Sequence, residues 1–139
     1  MVKAHIMLTS VRITRFLSPF ILTFVLLLGN NANAQEGEAL FQANCSSCHK
    51  LGAKLIGPNL LGITERRPEE WLLKFIKNSQ EVIKSGDEYA VNLYNEYNKV
   101  IMPPMALNDD EVKSILTYIE DYEKAEAASQ DATASTAAS

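Results

Sequence analysis

Cysteine, histidine and tryptophan are scarce in this 139-residue chain, which has two, two and one of them. Beyond the pair Cys45 and Cys48 and the neighbouring His49, only His5 is left as a soft ligand, so a four-ligand structural zinc site cannot be completed. Strand signals are also missing. No stretch alternates apolar and polar residues, and strands do not alternate with helices, which removes the α/β setting of a thioredoxin-type dithiol. Basic charge is short as well. With 13 Lys plus Arg against 17 Asp plus Glu, neither nucleic acid nor an anionic membrane surface is an expected partner. The longest apolar run, Phe16 to Leu28, is too short for a permanent bilayer span. Lys3, Arg12 and Arg15 precede it and the small-x-small triplet Ala32-Asn33-Ala34 follows, which is the pattern of a secretory signal peptide over 1–34. An uncleaved membrane anchor is the alternative reading. Cleavage after Ala34 leaves Gln35 to Ser139 with a formal charge of −7 and no cysteine at its start to take a lipid.

What is present centres on the pentapeptide Cys45-Ser46-Ser47-Cys48-His49, which reads as a covalent attachment site for one haem c. On a helical turn, residues three and four apart share a face, so both thiols and the imidazole can meet one flat cofactor. Each thiol adds to a haem vinyl group, and the imidazole is the proximal iron ligand. Disulfide exchange is the competing use of a Cys-x-x-Cys pair. The exported setting matters, because two free thiols there oxidise unless they are held reduced. Residues 125–139 are rich in Ala, Ser and Thr with no apolar period, so a disordered tail is expected there. The folded part, 35–124, is small enough that a polypeptide core alone is marginal. A buried haem supplies the missing apolar centre.

Three helices are predicted with clear start signals. One runs from Glu36 to about Cys48, and one from Pro68 to about Lys77 with Trp71, Leu72, Phe75 and Ile76 at helical spacing. The third is capped by Asn108, with Val112, Ile115, Leu116 and Ile119 as its apolar stripe. A short helix over Tyr89–Tyr97 is a weaker expectation, and the remainder of 50–67 and 86–107 reads as long loops wrapping a cofactor. The iron's second axial ligand is expected from Val100-Ile101-Met102-Pro103-Pro104-Met105. There Met102 is stiffened by the prolines that follow it and Met105 is the alternative. Gap-filling is the ordinary use of methionine and the competing reading of both.

These residues resemble class I c-type cytochromes, small single-haem electron carriers, over about Gly37 to Tyr122. Gly37 and Phe41 match the family's N-terminal helix, and Ile115 and Tyr118 match the C-terminal helix that it crosses. Gly57-Pro58 matches the loop whose proline carbonyl accepts the proton of the haem histidine, and Met102-Pro103 matches the axial Met-Pro. Arg66, Arg67 and Trp71 resemble groups that contact haem propionates in relatives, beside the plainer reading of two solvated arginines and a core tryptophan. The resemblance implies an all-α, small cytochrome c fold of three to five helices around one covalent haem. It further implies a monomeric periplasmic electron carrier, not an enzyme, working between partners such as a membrane quinol-oxidising complex and a terminal oxidase or reductase. A fixed haem-bearing subunit of a respiratory complex is the alternative function. A gas-binding or peroxide-reducing haem protein is a third reading, and it requires an iron without Met102.

Overall fold

The computed structural model describes the backbone of residues 32–137 and the side chains of residues 34–130. Apart from its last residues, the leader expected over 1–34 lies outside the described residues. Every regular element among the described residues is a helix: α1 (Ala32–Asn44), α2 (Ile63–Arg66), α3 (Glu69–Lys77), α4 (Ser79–Lys84), α5 (Glu88–Glu96) and α6 (Asp109–Ala137). None is long and apolar enough to cross a membrane. The all-α expectation holds, with six helices in place of three to five because α2 and α4 are too short to show an apolar period.

Local chemistry sets the boundaries. Pro68 sits in extended geometry as the N-cap of α3, with Glu69 and Glu70 in the first turn and Lys74 and Lys77 near the end, each favourable to the helix dipole. Asn78 ends α3 and caps α4, its side chain accepting from the Glu81 N–H. Asp87 caps α5 by accepting from the Ala90 N–H at 2.8 Å. Asn108 and Glu111 exchange side-chain to backbone bonds of 3.0 and 2.8 Å, a capping box at the start of α6.

Two expectations are corrected. The first helix stops at Asn44 and does not continue to Cys48, because Asn44 and Ser46 turn their side chains onto the carbonyls of Leu40 and Gln42. The tail expected to be disordered from residue 125 continues α6 to Ala137. Alanine has the highest helix propensity, so an already nucleated helix extends through this stretch without an apolar face.

From Asn33 onward the chain forms one compact unit. Its centre is the crossing of α1 over α6. A Cβ built on Gly37 would lie 1.9 Å from the Ser114 carbonyl oxygen, so the two backbones touch where only glycine fits. One turn on, the rings of Phe41 and Tyr118 meet at 5.5 Å. Phe41, Cys45, Ile115 and Ile119 form one buried cluster, and Leu72 with Val112 and Leu116 forms a second where α3 meets α6. Each such side chain contributes about 1.5–3 kcal/mol of burial.

Candidate functional site

The turn after α1 carries the pentapeptide. The N–H groups of Cys48 and His49 both donate to the Cys45 carbonyl, at 3.1 and 2.9 Å, so the thiols and the imidazole keep nearly helical spacing although the helix has ended. Cys45 is buried in the first core cluster and Cys48 is half-buried. Burial, reinforced by the neighbouring Cys48, pushes the Cys45 thiol up to about 11. In the absence of haem it is therefore a neutral, packed thiol.

The loop that follows exists to hold His49. Gly57 N–H donates to the Cys48 carbonyl at 2.8 Å, and Asn59 Oδ1 accepts from the N–H groups of Gly52 and Leu61 at 2.8 and 3.0 Å. Folded this way, the Pro58 carbonyl lies 3.0 Å from His49 Nδ1. A carbonyl can only accept, so Nδ1 carries the proton and Nε2 keeps its lone pair for a metal. Gly57 packs so closely on the ring that a Cβ there would come within 2.4 Å of His49 Cε1. The glycine of the Gly-Pro pair is thus required by contact with the imidazole.

Cys45, Cys48, His49 and Pro58 open on one large, almost wholly apolar cavity. Trp71, Met102 and Met105 line the same cavity, with Leu72, Ile115, Leu116 and Ile119 from the core clusters. Met102 and Met105 stand more than 50 residues from the pentapeptide, so the fold brings together what the sequence separates. Asn59, Ser79 and Asp87 were not singled out by sequence reasoning. Asn59 follows Gly-Pro and is a loop-type residue, which was a usable signal, whereas nothing in the sequence marks Ser79 or Asp87.

The three residues expected near propionates behave differently from one another. Trp71 lines the cavity, but its Nε1–H donates to Asp87 Oδ2 at 3.1 Å and its ring stacks on Phe75 at 4.6 Å. Arg67 lies between the rings of Trp71 and Tyr89, 4.9 and 3.9 Å from their centroids, and 4.0 Å from Asp87 Oδ1. Arg66 donates to the carbonyls of Leu61 and Asn59 and so braces the Gly-Pro loop. Neither arginine lines the cavity. Protein carbonyls hold Arg66 elsewhere, whereas Arg67 has only the Asp87 ion pair and its Nε is buried without a hydrogen-bond partner among the described residues.

The residues fit a haem. Two thiols and one imidazole converge on the cavity, and its wall is the apolar lining a porphyrin needs. On that wall Gln80 has a buried Nε2 without a hydrogen-bond partner among the described residues, a donor that a bound group can satisfy.

A family model for cytochrome c matches residues 34–123. A cytochrome c-553-like protein of Synechocystis sp. is 36% identical over 55 residues, which is 39% of this chain and 52% of the relative, so the match spans about half of that protein's length. Among solved structures, a cytochrome c from Rhodothermus marinus superposes with a TM-score of 0.61 and 31% identity, over 68% of this chain and 80% of that one. A cytochrome c domain from Pseudomonas putida gives 0.58 and 36%, over 63% and 88%. The matched stretch includes the pentapeptide, the Gly-Pro loop and most of both crossing helices, and the chain belongs to the cytochrome c family, with haem c attached covalently.

Proposed function

We propose that the protein is a one-electron carrier in which His49 and Met102 are the axial ligands of a haem held by Cys45 and Cys48. The observation that carries this reading is the single cavity lined by the pentapeptide and by the methionines of the Met-Pro-Pro-Met run. When bound, the haem supplies the one-electron iron couple. Cys45 and Cys48 fasten it, and Pro58 orients His49 through Nδ1. Methionine, a weak donor, favours the ferrous state, and the apolar wall raises the potential further. With His49 and Met102 both held to the iron, no coordination site would be left for a substrate, which supports a carrier and not an enzyme.

Partners meet it at the mouth of the cavity. There Ile56, Val100 and Ile101 are 52, 49 and 60% exposed, an apolar face suited to brief docking. Lys54 lies 4.3 Å over the Tyr97 ring and ties the two loops that carry this face. The leader pattern supports export to the periplasm. In this reading the carrier is a monomer that reaches membranes only through partners, a quinol-oxidising complex as donor and a terminal oxidase or reductase as acceptor.

The test is the absorption spectrum of the ferric holoprotein. The weak far-red band of iron bound to methionine sulfur is expected, lost in Met102→Ala and kept in Met105→Ala. A native protein without the band that binds carbon monoxide readily when ferrous sinks this assignment. The continuation of α6 past Lys124, exposed over 125–130, favours a second reading, a subunit tethered within a membrane complex. A mild salt wash separates them, because the carrier leaves the membranes and the subunit stays.

A further inference from the structure

Ser79 is the only buried polar residue among those described, at 1% exposure. Its place at the start of α4 does not explain this, since Asn78 already caps that helix. Instead the Ser79 hydroxyl donates to the Met102 carbonyl oxygen at 2.9 Å, across 23 residues of sequence.

That bond lands where the chain has few other restraints. Pro103 and Pro104 have no N–H to give, and Ile101 is 60% exposed. Among the described residues no other hydrogen bond reaches 101–104. The next anchor is the Met105 N–H on the Lys77 carbonyl at 3.1 Å, a backbone pair that no side-chain change removes. A thioether bonds iron weakly, so the placing of its backbone decides how firmly it stays.

We propose that Ser79 is the positioning residue for Met102: its buried hydroxyl holds the Met102 main chain against α4 and keeps the methionine sulfur on the haem iron in competition with outside ligands. The inference rests on Met102 being the axial ligand. The buried hydroxyl needs an acceptor, because a buried O–H without one is costly, and the Met102 carbonyl is the acceptor present.

The experiment uses haem-loaded protein as wild type, Ser79→Ala, Ser79→Thr and Glu123→Ala. The last removes the carboxylate that accepts from Gly62 N–H and lowers stability away from the Met102 loop. The readouts are the far-red band of the ferric form and the affinity for imidazole, which competes with sulfur for iron. Ser79→Ala is expected to weaken the band and to bind imidazole about five- to tenfold tighter, the effect of one lost hydrogen bond. Ser79→Thr restores both, and Glu123→Ala lowers the melting temperature while leaving both unchanged. If Ser79→Ala does not mature, Ser79→Val against Ser79→Thr makes the same comparison at equal shape. Wild-type imidazole affinity in the variant lacking the hydroxyl overturns the role of Ser79 and leaves Met102 as ligand. A wild-type protein without the far-red band overturns the ligand reading, and this inference with it.

Discussion

At the scale of single residues, Asp87, outside the cavity lining, joins three groups. One oxygen caps α5 and approaches Arg67, and the other accepts from Trp71. The Ala90 N–H, then the Trp71 N–H, with Arg67 adding charge, hold its carboxyl below the usual 3.8. A carboxyl depressed in the folded state stabilises the fold above its unfolded value, and that stability is lost as pH falls through the lower folded value. Asp87→Ala should therefore lower stability by about 1 kcal/mol at pH 7, a typical loss for a cap. The gap to wild type should narrow once the pH drops below about 3.8, the ordinary carboxyl value. Thermal melts of the two proteins at pH 7 and pH 3 check this, and a constant gap refutes it.

The elements make two further predictions. At the α1/α6 crossing Gly37 leaves no room for a methyl group against the Ser114 carbonyl. Gly37→Ala should force the helices apart and lower stability by about 1–3 kcal/mol, as overpacking does, although alanine favours helix. In a domain of this size each kcal/mol moves the melting temperature by about 4–8 °C, so calorimetry resolves the loss. The end of α6 should behave in the opposite way. Residues 125–130 are exposed, so deleting 125–139 should lower the far-ultraviolet helix signal while the melting temperature and haem spectrum stay put. A large drop in melting temperature would show that this stretch packs on the domain.

At the scale of the whole molecule, the haem site and the hydrophobic core share their walls. Leu72, Leu116, Ile115 and Ile119 belong to the two core clusters and also face the cavity. Without the cofactor one side of each loses its packing partner. Chain made without haem attachment should therefore lack a cooperative melt, and the attached form should show one. A sharp transition in the chain without haem would mean that the polypeptide closes the cavity by itself.

How much of this was legible beforehand follows from the range of each interaction. The sequence by itself determined the haem pentapeptide, the Gly-Pro and Met-Pro signals, the all-helical class and the starts of α3 and α6. The pentapeptide and the helix starts depend on residues within a turn or two of each other, where spacing and caps act directly, and the role of Gly57-Pro58 came with the family resemblance. Only the tertiary structure decided the rest. It set Arg66 on the carbonyls of Leu61 and Asn59 and Arg67 between the rings of Trp71 and Tyr89, contacts that adjacency in the chain does not reveal. It stopped α1 at Asn44 and carried α6 past the expected boundary. It also set the Ser79 hydroxyl on Met102, a contact across 23 residues that no periodicity encodes. A hydrogen bond between distant segments has no local signature, because its partners are chosen by packing.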